Sequence, residues 1–130
     1  MAVAEPLIAL RGVSRRWLLD TVEVPALVEV DAVFAVGEAT AVMGPSGSGK
    51  STLLQVAALL DAPSAGTVWL EGACVSTRSD DARSDLRLRR LGFVHQTYPM
   101  MSLLTPRENV MLPALYAGVS RAEEIGRAHV

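Results

Sequence analysis

Apolar and polar positions divide the chain into short alternating elements. Leu7 to Val13 predicts a short strand, closed by a polar turn at Ser14-Arg15-Arg16. Val22 to Val36 alternates in part, with Val28, Val30, Ala32, Phe34 and Val36 at every second position, the period of a half-buried strand. Gly37-Glu38 then breaks the run as a turn. Thr40 to Met43 is a short apolar run that suits a buried parallel strand. Ser51 to Leu60 is apolar nearly all round and predicts a buried helix. A turn follows at Asp61 to Gly66, then a strand over Thr67 to Leu70 that stops at Glu71-Gly72.

The second half has clearer boundary signals. Ser79 suits a helix N-cap, with Asp80 and Asp81 in the first turn and Arg87, Arg89 and Arg90 in the last. That polarity complements the helix dipole at both ends. Leu91 to Gln96 predicts another short strand. Thr105-Pro106-Arg107-Glu108 is a capping box with proline at the first helical position, opening a helix toward Tyr116 that Gly118 ends. Ser120 predicts the start of a last helix.

The candidate chemistry lies where the Thr40–Met43 strand meets the next helix. Gly44-Pro45-Ser46-Gly47-Ser48-Gly49-Lys50-Ser51 has the spacing G-x-x-x-x-G-K-[ST] of a P-loop, in the strand-to-helix setting that distinguishes it from a chance match. Successive amides in such a turn form a concave anion site, completed by the following helix N-terminus. Lys50 is the chain's sole lysine; every other basic side chain except the two histidines is arginine. A compact ammonium can reach β- and γ-phosphates as a point charge. Gly47, Ser48, Gly49 and Lys50 are expected to donate amides, and Ser51 its hydroxyl to Mg²⁺. The loop predicts binding of ATP or GTP with Mg²⁺; the alternative is a glycine-rich turn without a ligand.

Composition changes this picture in three ways. The net charge of −2 gives no electrostatic case for nucleic acid, and Arg87, Arg89 and Arg90 read as dipole complement and solvated face. Cys74 is the only cysteine, which leaves no intrachain disulfide or all-cysteine metal site. Met1 to Pro6 lacks the basic start of a signal peptide, and the apolar stretches are too short for a membrane span. Any membrane role is expected to come through a partner.

Several motifs in order carry a family resemblance. Gly44 to Leu54, Leu60-Asp-Ala-Pro-Ser-Ala-Gly66 and Val68-Trp-Leu-Glu-Gly72 resemble the nucleotide-binding domain of ABC transporters, and Leu91-Gly-Phe-Val-His-Gln96 resembles that family's Q-loop strand. Thr105 to Gly118 is similar to the lipoprotein-release and macrolide-export type. The resemblance implies an α/β fold of the P-loop NTPase, ABC ATPase type: an antiparallel β subdomain with the P-loop strand-helix unit. It reads residues 1–130 as the N-terminal half of such a domain, with Walker A at 44–52, the Q-loop at 96 and the start of a helical subdomain at about 105–130.

The same resemblance implies the residue roles. Gly44, Ser46, Gly47, Ser48, Gly49, Lys50, Ser51 and Thr52 would hold ATP, with Thr52 at the α-phosphate or serving only as a cap. Trp17 would stack on adenine where the family more often has tyrosine, since stacking needs only a π face; a core tryptophan is the alternative. Gln96 would touch Mg²⁺ and the attacking water and couple the site to the membrane partner; a polar residue ending a strand is the alternative. Lys50 and Gln96 are thus the catalytic candidates, and Ser51 and Gln96 the metal candidates. His95 departs from the family's usual aromatic residue, and His129 matches no motif.

The resemblance also sets expectations for the whole system. An integral membrane permease and a second nucleotide-binding subunit are the implied partners, at the cytoplasmic face of the plasma membrane. The signature loop, Walker B strand and switch histidine would all lie beyond Val130. Phosphoryl transfer is mostly positioning and charge stabilisation, so this chain alone is expected to bind ATP without hydrolysing it. A non-catalytic nucleotide-binding module and a soluble ABC-type ATPase are the alternatives. The implied sheet order places two absent strands between the P-loop strand and the Gln96 strand, leaving unpaired edges. With the mean hydropathy of +0.30, this predicts a chain that is marginally stable by itself.

Overall fold

The computed structural model describes residues 6–97 and 99–119. The chain divides into two compact units, Met1–Ser84 and Asp85–Val130. The first is built on a four-stranded antiparallel sheet of order β2-β1-β3-β4. Its strands are β1 (Pro6–Leu19), β2 (Val22–Ala35), β3 (Ala65–Leu70) and β4 (Ala73–Cys74), and helix α1 (Lys50–Ala57) packs on β1 and β2.

The long β1–β2 hairpin differs from expectation. Ser14, Arg15 and Arg16 form no turn: they continue β1, and the chain reverses at Asp20-Thr21, between the paired residues Leu19 and Val22. What sequence pattern concealed is a set of bulges. Gly12 and Glu29 take positive φ, 56° and 47°, and each inserts a residue opposite one on the other strand. The Gly12 amide donates to Asp31 Oδ1 at 2.8 Å, and the Glu29 amide to the buried Ser14 Oγ at 2.9 Å. A bulge reverses the in–out phase. Leu27 is therefore buried and Val28 exposed, whereas the alternation expected Val28 to share a face with Val30.

The core of this unit gathers Leu10 and Val13 from β1, Leu27 from β2, Val56 and Leu59 from α1 and its C-terminal turn, and Val68 from β3. Each such side chain contributes about 1.5–3 kcal/mol on full burial. Leu59 also ends the helix. It adopts the left-handed conformation (φ 60°), and Leu60 N–H donates to Gln55 C=O at 2.9 Å, the closure that satisfies terminal carbonyls. A non-glycine residue there costs about 1–2 kcal/mol, which burial of the Leu59 side chain offsets. The expected helix to Leu60 thus stops at Ala57, and it is not buried all round: Leu54 and Leu60 are exposed.

Two expected strands do not form. Thr40–Met43 and Leu91–Gln96 join no ladder, and Met43 and Val94 are 86% and 93% exposed. A strand exists by hydrogen bonding to a neighbour, and no described segment pairs with either run. Apolar composition alone could not supply that partner.

The second unit holds α3 (Pro106–Tyr116), and the boundary between units falls within α2 (Asp80–Arg90). Both helices start as predicted. Ser79 Oγ accepts from Ala82 N–H at 3.3 Å. Thr105 and Glu108 complete a reciprocal capping box, with Pro106 at the first turn. Asn109 ties the preceding loop to α3, accepting from the Met101 amide at 2.7 Å and donating to the carbonyls of Met101, Leu104 and Thr105. The helix expected from Ser120 lies outside the described residues.

Candidate phosphate loop and base platform

Residues 44–49 form the loop that carries Lys50 into the first turn of α1. Gly49 is the N-cap at φ 88° and offers no side-chain cap. The first helical bond runs from Leu53 N–H to Gly49 C=O at 2.8 Å. Among the described hydrogen bonds, none engages the amides of Lys50, Ser51 or Thr52. A helix start with three uncommitted donors and the positive dipole end suits an anion.

Two glycines hold this shape for different reasons. A Cβ on Gly49 would lie 2.4 Å from the Ala26 carbonyl oxygen, so the loop packs flush against an irregular step of β2, where Ala26 is the extra residue between the Leu27 and Pro25 pairings. A Cβ on Gly44 would meet Ser48 Oγ at 2.8 Å. Gly47 has φ 81° but open space around it. The hairpin bulges therefore position the loop, a link between strand irregularity and site that no local motif records.

Lys50 folds back over the loop. Its Nζ donates to Gly44 C=O at 2.8 Å and Pro45 C=O at 2.7 Å. The ammonium thus sits at the mouth of the loop, held by two neutral acceptors. A phosphate oxygen forms a stronger, charge-assisted bond in their place.

The loop shares a depression with the hairpin. About 370 Å³ in volume, it is lined by Ser46, Gly47, Gly49, Lys50, Ser51 and Thr52 on one side and by Trp17, Val24, Pro25 and Ala26 on the other. Trp17 lies in β1 opposite Val24, not in a loop, and it is 38% exposed rather than a core residue. Of the expected ligands, Gly44 borders an adjoining hollow with Ser48. The structure brings Trp17 and the loop to one depression, together with Val24, Pro25 and Ala26, which sequence pattern did not single out. Their signal was the hairpin itself, legible only once β1 is seen to run to Leu19.

Gln96 belongs to the second unit, where it is exposed in irregular backbone. His95 stacks on Phe93 at 6.0 Å between ring centroids, which accounts for its ring without a chemical role.

A glycine-rich phosphate loop heading a helix, beside an antiparallel β layer, is the arrangement of P-loop nucleotide-binding cassettes. Residues 27–129 match the ABC transporter family, and the chain belongs to it. Over 126 residues it is 42% identical to the macrolide export ATP-binding/permease protein MacB of Agrobacterium fabrum, covering 97% of this chain and 19% of that protein. Identity is also 42% over 126 residues to the lipoprotein-releasing system ATP-binding protein LolD 2 of Caulobacter vibrioides, covering 97% of this chain and 55% of that one. Among solved structures, the ATP-binding cassette MJ0796, a dimer bound to ADP and phosphate, superposes with a TM-score of 0.86 at 34% identity, over 93% of this chain and 53% of that one. The chain therefore spans about half of those two ATP-binding proteins and a fifth of the export protein. No helix among the described residues is long and apolar enough to cross a membrane.

Proposed function

We propose that residues 1–130 bind Mg²⁺–ATP as the phosphate- and base-holding part of an ABC transporter ATPase. The observation that carries this reading is the shared depression, with Trp17 on one wall and Lys50 and the amides of the helix start on the other. Those amides and Lys50 hold the β- and γ-phosphates, Ser51 supplies a hydroxyl ligand to Mg²⁺, and Thr52 lies at the α-phosphate. Trp17 stacks on the adenine. Bound Mg²⁺ would supply positive charge that neutralises the phosphates, and the hydroxyl of Ser51 suits a hard, oxygen-seeking cation. Gln96 is proposed as a further Mg²⁺ and water contact on the family resemblance alone.

In the complete system, ATP-linked dimerisation with a second nucleotide-binding subunit would drive an integral membrane permease in export or lipoprotein release. Similarity to the MacB and LolD proteins supports this, as does the dimeric state of the MJ0796 cassette. The chain would then sit at the cytoplasmic face of the membrane through that permease. The 130-residue chain is expected to bind ATP without turnover.

Calorimetric titration with Mg²⁺–ATP tests the reading. One site per chain is expected, with Lys50→Ala weakening binding tenfold or more, since a charge-assisted bond contributes about 1.5–3 kcal/mol. Equal affinity in the two proteins overturns it. Hydrolysis by the purified chain that Lys50→Ala abolishes overturns the claim of binding without turnover.

A further inference from the structure

Arg15 stands two residues before Trp17 on β1 and therefore on the same face of the strand. Its guanidinium carbon lies over the indole, 4.2 Å from the ring centroid. The guanidinium covers one face of the indole, and Arg15 does not border the depression that Trp17 lines. Arg15 Nε also donates to Asp61 Oδ2 at 2.6 Å, both side chains being 21% exposed. Asp61 is itself fixed, since its Oδ1 accepts the Ala62 amide at 2.8 Å and its own amide donates to Gln55 C=O at 3.2 Å, inside α1.

The turn after α1 is fastened to β1 on both sides of Arg15. Ser64 N–H donates to Ser14 C=O at 2.8 Å, and Arg16 N–H donates to Ser64 Oγ at 3.0 Å. The helix whose first turn carries Lys50 is thus joined, at its other end, to the strand that carries Trp17. A planar guanidinium, unlike an ammonium, can stack on a ring and donate sideways to a carboxylate at once.

We propose that Arg15, held by Asp61, is the positioning residue that orients Trp17 as a nucleobase platform and ties the base subsite to the phosphate-binding helix. This rests on the reading of Trp17 as that platform. A cation behind the indole draws π density from its opposite face, which favours an electron-rich purine over a bare polyphosphate ligand. Arg15 touches neither base nor phosphate; it acts through Trp17.

The test compares Mg²⁺–ATP with Mg²⁺–tripolyphosphate, in a Trp69→Phe background where Trp17 is the sole fluorophore of its kind. Arg15→Met is expected to weaken ATP about fivefold, the scale of a partly desolvated cation–π contact, and tripolyphosphate by less than about twofold. The quenching of Trp17 emission by ATP should shrink with it. Arg15→Lys restores part of the preference, and the near-isosteric Asp61→Asn reduces it in the same direction. Asp61→Asn decides the matter if Arg15→Met does not fold by circular dichroism. If Trp17→Ala lowers the ATP-to-tripolyphosphate ratio while Arg15→Met and Asp61→Asn leave it at the wild-type value, the positioning role is wrong and the platform stands. If Trp17→Ala leaves the ratio unchanged, the platform reading itself falls.

Discussion

The ammonium of Lys50 and the missing side chain of Gly49 act on the same loop from opposite directions. Lys50 holds the loop mouth through the carbonyls of Gly44 and Pro45, while Gly49 lets the loop lie against Ala26. Gly49→Ala must carry both a left-handed φ and a backbone clash, whereas Gly47→Ala carries only the φ. A single strained residue costs about 1–3 kcal/mol, so Gly47→Ala should destabilise the chain mildly and Gly49→Ala clearly more. Chemical denaturation of both variants checks this order; equal losses would show that the approach to Ala26 is not constraining. The glycine spacing made the loop legible in the sequence, because every requirement of a P-loop is local. What the spacing could not show was that Gly49 is needed for contact with a strand more than twenty positions earlier.

Helix ends proved far more legible than strand partners. The Thr105–Glu108 box and the Ser79 cap are written in four or five consecutive residues, and both formed. The amide and hydroxyl of Thr105 hold the Glu108 carboxyl below its ordinary value of 4.5. A carboxylate with a lowered folded pKa stabilises above the unfolded value, and that contribution is lost as pH falls through the lower folded one. Protection of the first-turn amides of α3 should therefore weaken as pH drops below 4.5, and Thr105→Ala, which loses the hydroxyl but keeps the amide, should reduce that dependence. Hydrogen exchange of a peptide spanning 105–112 measures it; an unchanged pH profile in Thr105→Ala would contradict the capping account. Strands behaved otherwise. Ser14-Arg15-Arg16 looks like a polar turn until β2 is laid beside it, and Thr40–Met43 looks like a strand until its partner is sought. Each error has the same origin: ladder pairing is a long-range property, and bulges at Gly12 and Glu29 erase the alternation that signals it in a regular strand.

At the scale of the molecule, large apolar side chains lie exposed in both units. Met43, Leu54 and Leu60 lie open in the first unit. In the second, Pro99, Met100, Pro106, Val110, Leu112 and Pro113 line a groove of about 410 Å³. Patches of this kind mark interaction surfaces or association-prone ones. The 130-residue chain should accordingly bind an apolar dye in its native buffer and self-associate as concentration rises, with a broad thermal transition. Dye fluorescence with sedimentation checks this; a dye-silent monomer with a sharp cooperative transition would contradict it. The family itself was legible from motif order, since Gly44–Leu54, Leu60–Gly72, Leu91–Gln96 and Thr105–Gly118 fall in sequence. The sheet that supports those motifs was legible only in part: strands formed over Leu7–Val13, Val22–Ala35 and Thr67–Leu70 as expected, but the run of β1 on to Leu19 and its bulged pairing with β2 were not foreseen.

The amides at the start of α1, with Lys50, are proposed to cradle a nucleotide's phosphates. Site-resolved hydrogen exchange over residues 44–52, with and without saturating Mg²⁺–ATP, tests it most directly. The amides of Gly47 to Thr52 should slow markedly on addition of ATP, and Lys50→Ala should remove most of the effect at the same nucleotide concentration. Exchange across that loop that stays unchanged with ATP bound would contradict this binding mode.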